Sequence, residues 1–299
     1  MNKKILAAAI GAALVAGPLA AQADLKISGR IAADITSADG GIAMSDSGHS
    51  RLQFDASDDS GWYTRAAADL RGWFGGGSST GRDVYVGLKG GFGSIQAGRM
   101  GGAVKNIEGD PFIATFLEYR NNFVKGGAYG SSSFVNNMLQ YANKFGDASI
   151  KIQYNPTDDA LAGPNGDLGA SIKAKLAGAN VFAGYNNEGN SGNTYYKLGG
   201  DMSFGDIKAK LIYENDGAIV GDEASFVVGA EFKVAGGMVD VSYSDKGNLR
   251  SAAAYRIGFM KKASKKARWW VGYTQNGSNK TPGVVGDTAT FGGGARVDF

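Results

Sequence analysis

The chain has 299 residues, with 31 Lys and Arg against 28 Asp and Glu, a formal charge of +3, one histidine and no cysteine. Disulfide frameworks and thiolate metal sites are thereby excluded, and so balanced a charge gives no electrostatic footprint for nucleic acid. Glycine is abundant at 48 residues and proline scarce at 5, a composition for extended chain and tight turns.

The chain opens with Lys3 and Lys4, an apolar run from Ile5 to Ala16, the breaker Gly17 and Pro18, then Ala21, Gln22 and Ala23. That is the layout of a secretory signal peptide, and its apolar run is too short to span a bilayer. The expectation is export, cleavage after Ala23, and a single domain over 24–299. No later run reaches 18 apolar residues, so any membrane crossing must be by strands.

Period two dominates from residue 24 onward. In the first strand Leu25, Ile27, Gly29, Ile31, Ala33 and Ile35 share one face, with Lys26, Ser28, Arg30 and Asp34 opposite. The pattern predicts sixteen strands, near 24–35, 50–57, 62–73, 82–90, 93–99, 134–143, 146–155, 167–177, 179–187, 193–204, 206–215, 223–234, 238–246, 250–262, 266–275 and 287–299. Tight connections at 58–61, 90–92, 145–147, 176–180, 204–206, 234–238 and 262–266 alternate with polar, mostly longer ones at 36–49, 74–81, 100–133, 156–166, 216–222 and 276–286. Short turns at one end and longer loops at the other are the arrangement of an outer-membrane barrel.

Charge placement separates lipid from a protein core. Mid-strand Lys, Arg, Asp and Glu fall almost wholly on one face, and small residues such as Ala66, Ala68, Ala174, Ala209 and Ala253 populate the other. A soluble sandwich would also alternate, but strands of 10 to 13 residues suit tilted crossing better. Aromatic residues near strand ends, Trp62, Tyr63, Trp73, Phe74, Tyr154, Phe204, Trp269, Tyr273 and Phe299, suit interfacial girdles. The expected fold class is all-β, a transmembrane antiparallel barrel.

The segments DLKISGR at 24–30, SRLQFDASDDSG at 50–61, YVGLKGGFGSIQAGR at 85–99, NNMLQYANKFGDASIKIQYN at 136–155 and the terminal ARVDF resemble, in order and spacing, the Gram-negative general porins. The resemblance covers all of 24–299. It implies a sixteen-stranded barrel assembled as a homotrimer in the outer membrane, in contact with lipid and lipopolysaccharide. It also implies a water-filled channel for passive diffusion of ions and small hydrophilic solutes. Phe299 matches the aromatic signal by which the barrel-assembly machinery recognises such chains.

By the same resemblance segment 100–133 is the third loop, folded inward to constrict the channel, with Glu108, Asp110, Glu118 and Arg120 as its charged residues. Facing it, the resemblance places Arg30, Arg51 and Arg99 on the wall, and periodicity adds Arg65 and Arg71. Opposed charge across a water-filled narrowing makes a transverse field that orients solutes and tunes ion preference. Two departures thin that field. Gln140 stands where many family members carry a basic residue, and the loop also carries Lys105 and Lys125.

Catalytic and metal chemistry finds little support. His49 is a lone loop histidine without the rigid surroundings a triad needs. Gly76 and Gly81 are followed by Arg82 and Asp83, so the phosphate-loop pattern fails. Asp158 with Asp159, or Asp222 with Glu223, make no convergent cation site, and no cofactor is expected. KKASKKARWW at 261–270 reads as a turn whose lysines reach headgroups while Trp269 anchors the interface. The alternatives that stay open are a substrate-selective porin and a structural or adhesive barrel with a closed lumen; the short exposed loops disfavour adhesion.

Overall fold

The computed structural model describes residues 24–38, 40–46, 50–70, 81–119, 134–156, 167–188, 192–217, 224–245, 253–276 and 288–299. Its strands are β1 (Asp24–Ala38), β2 (Gly41–Ser45), β3 (Arg51–Ser57), β4 (Trp62–Asp69), β5 (Gly81–Gly90), β6 (Gly93–Gly101), β7 (Phe134–Phe145), β8 (Ala148–Tyr154), β9 (Leu168–Leu176), β10 (Ala179–Glu188), β11 (Asn193–Phe204), β12 (Ile207–Asp216), β13 (Ala224–Val234), β14 (Gly237–Asp245), β15 (Ala253–Lys262), β16 (Ala267–Asn276) and β17 (Thr288–Asp298). From β3 onward each pairs antiparallel with the next, and β17 pairs back onto β1. Closure removes every sheet edge, the condition for β-structure to stand in hydrocarbon.

Seventeen segments make sixteen staves, because β2 and β3 lie end to end along β1. The region 36–49, expected as a loop, therefore carries a five-residue strand. The register runs Asp34 to Ser45 for one half and Arg30 to Arg51 for the other, so 31–33 have no ladder partner in either β2 or β3. Side chains bridge the interruption. Ser50 Oγ accepts the Ala32 N–H at 2.9 Å, and the Asp46 carboxylate accepts the Ser50 N–H at 2.9 Å. A hydroxyl thus stands in for a missing ladder partner, which a buried amide requires.

The burial pattern is inside out. Leu25, Ile27, Ile31 and Ile35 are exposed, Leu25 by 60%, while Arg30 is buried and Asp34 is 0% exposed. The same holds around the ring: Leu198, Leu211, Val228 and Val241 face out, and Lys197, Glu214, Asp240 and Arg256 face in. An apolar band outside and a polar lumen inside fit lipid as the outer solvent.

The tight ends show why their residues are there. Ala177 with Gly178, and Ala235 with Gly236, take positive φ at both central positions, the type I′ hairpin whose twist matches the flanking strands. Rings collect into belts on the outer surface: Phe226, Tyr243 and Tyr255 lie 5.3 to 5.9 Å apart in sequence of strands, and Phe259 meets Trp269 at 5.3 Å. Tyr63, expected in a girdle, belongs to the lumen instead. Its hydroxyl donates to Gln96 Oε1 at 2.9 Å, and it shares the row of Ser57 and Gly87. Trp73 and Phe74 lie outside the described residues.

The last strand closes the ring. Phe291, Val297 and Phe299 are exposed, whereas Arg296 and Asp298 turn inward. Phe299 exchanges both backbone hydrogen bonds with Gly29, at 3.0 and 3.1 Å, and its ring covers that glycine so closely that a Cβ there would lie 2.4 Å from it. Only glycine leaves room for the phenyl ring at this seam.

Candidate functional site: the lumen wall and its internal loop

After β6 the chain leaves the wall, and segment 102–119 lies against the inner surface of the barrel. Val104 fills the space above Gly184, where a Cβ would come within 2.3 Å of it. Ile107 and Tyr119 join Phe182, Ile212 and Val227 in one apolar cluster; Phe112, Phe116 and Leu117 join Ala32 and Trp270 in another. These contacts run along β10 to β16 and reach β1. The loop therefore covers that arc of the wall and leaves to the lumen the arc from β3 to β8, with Arg30 of β1 and Arg296 of β17 beside it.

Charge holds the loop down. Glu108 meets Lys197 at 3.1 Å, both side chains fully buried, and Lys197 also faces Glu214 at 3.6 Å. Asp110 is the centre of a second set. Its carboxylate accepts the Phe112 N–H at 3.0 Å, the Tyr119 N–H at 2.6 Å and the Arg256 guanidinium at 3.0 Å. Arg256 in turn donates to the Leu117 carbonyl at 2.7 Å and twice to Asp240, at 2.6 and 2.8 Å. Its guanidinium lies 3.9 Å from the centre of the Tyr119 ring, a cation–π stack between planar groups.

Lys210 donates to the Gly109 carbonyl at 3.2 Å, and the Tyr119 hydroxyl meets Ser242 Oγ at 3.0 Å. Burial holds the Tyr119 phenol well above its ordinary value, so it stays neutral. Burial also raises the Asp110 carboxyl, with Arg256 and the Tyr119 amide opposing the rise. Glu118 bonds within the loop, accepting the Ala114 N–H at 2.7 Å. The three acids predicted for the loop are thus engaged on the covered side or within the loop itself.

The uncovered wall is basic. Arg30 and Arg51 are register partners on the lumen face, flanked in the same row by Asp298 and Asp69. Arg82 reaches Asp69 at 2.9 Å, Arg65 reaches Asp55 at 2.7 Å, and Arg296 reaches Asp298 at 2.9 Å. Two like charges set directly opposite each other cost stability, so the Arg30 and Arg51 pair is not a folding device.

Arg99 is placed differently. Ile95, Ala97 and Arg99 sit opposite Leu88, Val86 and Val84, of which Val86 and Val84 are exposed outward. The Arg99 guanidinium donates to the Gly81 and Phe134 carbonyls, at 2.9 and 3.3 Å, and to Asn136 Oδ1 at 2.7 Å. It ties the ends of β5, β6 and β7 together. Gln140 is buried and accepts the Gln153 amide at 2.7 Å, a neutral pair facing inward. Arg71, Arg120, Lys125 and His49 lie outside the described residues.

Sequence reasoning passed over Lys197, Arg82, Arg256 and Arg296. Each carried the available signal, a mid-strand charge on the polar face, but so does every lumen residue. What singles them out is the path of the loop and a bulge between Ala66 and Ala68 that brings Arg82 to Asp69.

A family model described as Gram-negative porin matches residues 7–296. Among solved structures, a loop-deletion variant of OmpT, an outer membrane protein of Vibrio cholerae, is similar at 18% identity and TM-score 0.72, covering 93% of this chain and 99% of its own. The anion-selective porin from Comamonas acidovorans is similar at 18% identity and TM-score 0.72, covering 93% of this chain and 100% of its own. OmpT in its trimer form is similar at 17% identity and TM-score 0.68, covering 93% and 100%. No curated protein sequence matches the chain.

Proposed function

Because the chain belongs to the Gram-negative porin family, we propose that it forms an outer-membrane channel in which segment 102–119 narrows the lumen and the arc from β3 to β8 carries the current. Passive diffusion of ions and small hydrophilic solutes needs no turnover, and catalysis is not part of this reading. The observation that carries it is the inversion of polarity: charged side chains buried inside a closed ring and leucines, isoleucines and valines exposed outside it.

The free wall points to a preference for anions. Loop carboxylates Glu108 and Asp110 are paired behind the loop with Lys197 and Arg256, while on the other side the five guanidinium groups of Arg30, Arg51, Arg65, Arg82 and Arg296 outnumber the three carboxylates of Asp55, Asp69 and Asp298 that pair with them. The anion-selective porin among the similar structures accords with that sign. Glu108, Asp110 and Glu118 then act by fixing the loop, and the wall arginines by setting the field. Arg99 acts by pinning the wall.

Export after cleavage at Ala23, assembly as a homotrimer, contact with lipopolysaccharide, and recognition of Phe299 by the assembly machinery complete the reading; a trimer form among the similar structures supports the third-order assembly. Planar-bilayer recording of the purified protein under a KCl gradient tests it. Large ohmic insertions that close in three equal steps, with a reversal potential on the anion side, are expected. Silence from folded, heat-modifiable trimers would favour a closed structural barrel.

A further inference from the structure

Between the root of the loop and the wall lies a recess of about 550 Å³ with several lysines in its lining. Lys89, Lys144, Lys151 and Lys173 line it from β5, β7, β8 and β9, and Lys105 approaches from the loop. The residues between them on the wall are small: Ser94, Ala142, Ser149 and Ser171. Register explains the arrangement. One row across the strands reads Lys89, Ser94, Ala142, Lys151, Ser171, and the next reads Lys144, Ser149, Lys173. Small residues separate the lysines along both rows, two of them in the first and one in the second, and the lysines are offset between rows, so each ammonium stem has open space beside it.

Neighbouring strands stand about 4.8 Å apart, so Lys144 and Lys173 are about 10 Å apart at the backbone with Lys151 diagonal to both. Flexible four-carbon stems at that spacing converge on one multiply charged group, whereas a monovalent ion satisfies only one of them. Among the described residues no ion pair involves Lys144, Lys151 or Lys173. Few acids act on these lysines: Asp83 is within electrostatic reach of Lys151, and Glu108 and Asp201 of Lys173, with Glu108 already holding Lys197 and Asp201 accepting the Asn180 amide, while Asp147 lies in the turn after β7. Hydroxyls of Ser149 and Ser171 supply neutral donors between the charges.

We infer that Lys144, Lys151 and Lys173, with Ser149 and Ser171, form a binding site inside the lumen for a small anion carrying two or more charges on phosphate-type oxygens. The inference rests on the open-channel reading above and deepens it. The site is a resting place within the path, not a filter for sign: monovalent anions pass, and a polyphosphate dwells. Lysine rather than arginine fits that task, since a point charge on a mobile stem holds an oxyanion without the directional fork that would lock it.

The test records the purified protein in planar bilayers, first in KCl alone and then with sodium pyrophosphate as the probe. Pyrophosphate is expected to reduce the current reversibly and saturably. With Lys144→Gln, Lys151→Gln and Lys173→Gln together, the concentration for half-block should rise about 10- to 100-fold, the product of three wet ion pairs each of modest strength. Lys151→Gln alone should give a few-fold rise, and heat-modifiable trimers on a gel confirm that each variant is folded. Equal block in wild type and triple variant would overturn the inference and move the site to the arginine row. Absence of block in a conducting wild type would also overturn it. Absence of current in KCl alone would refute the channel reading itself, and this inference with it.

Discussion

Asp110→Ala should release the loop without unfolding the barrel. The carboxylate accepts two loop amides and the guanidinium of Arg256, all buried, and alanine leaves the Phe112 and Tyr119 N–H groups without that acceptor. Each hydrogen bond to a charged group contributes about 1.5–3 kcal/mol, but three that share one carboxylate do not add. Breaking a buried pair by removing one partner costs about 3–5 kcal/mol, and that is the better measure of what docking loses. Arg256 keeps both hydrogen bonds to Asp240 when the loop leaves, so the wall retains its ion pair, while the Leu117 carbonyl departs with the loop. A loss of that size raises the undocked population by between two and three and a half orders of magnitude, at about 1.4 kcal/mol per factor of ten. Hydrogen exchange in detergent micelles measures it: amides of 110–119 should accelerate by at least about 100-fold, while amides of β11 to β15 keep their rates. Unchanged exchange in 110–119 would refute the assignment of Asp110 as the centre of the latch.

Other substitutions separate the parts of the reading. Arg30→Ser with Arg51→Ser should move the reversal potential under a KCl gradient toward cations, whereas Arg99→Ser should move it little, because that guanidinium is spent on wall carbonyls; equal shifts would place Arg99 in the field after all. Gly184→Ala forces Val104 off the wall and should loosen the root of the loop, read as faster proteolysis within 102–119. Ala177→Asn and Ala235→Asn each relieve a left-handed alanine and should stabilise the barrel by about 1 kcal/mol in urea unfolding, with no shift in midpoint as the refuting result. Trp270→Phe removes the 2.6 Å hydrogen bond to Asp34 and should cost about 1–3 kcal/mol by the same assay.

Most of the ring was legible from alternation, because one solvent change, water inside and lipid outside, is imposed on every strand alike. The exception is instructive. Gly41–Ser45 has the same alternation, with Ile42 and Met44 exposed, but only five residues of it, set between Asp39-Gly40 and Ser45-Asp46-Ser47. So short a run among turn-formers carries too little periodicity to be read as strand. Its pairing comes from β1, a long-range neighbour that local pattern cannot register.

The lumen chemistry was less legible, for a different reason. Alternation assigns a charge to the inside but not to a partner. Glu108, Asp110 and Glu118 could be expected to face the arginines of β1 and β3, and instead two of them turn to Lys197 on β11 and Arg256 on β15. That choice depends on where the loop rests, and its path is set by apolar side chains, Val104, Ile107, Phe112 and Leu117, finding Gly184, Phe182, Gly258 and Gly272 on strands far along the chain.

The ion pair between Asp110 and Arg256 spans 146 residues, and Asp34 with Trp270 spans 236. The polar wall groups that grip the loop past residue 108, Lys210, Ser242 and Arg256, are all synthesised after the loop, and its apolar seat extends to Trp270 and Gly272 on β16. A chain stalled before β15 lacks Arg256, Gly258 and Gly272, so its loop stays loose and its lumen unobstructed. Seating of the loop is therefore a late event, a report from the interior that most of the circle is in place.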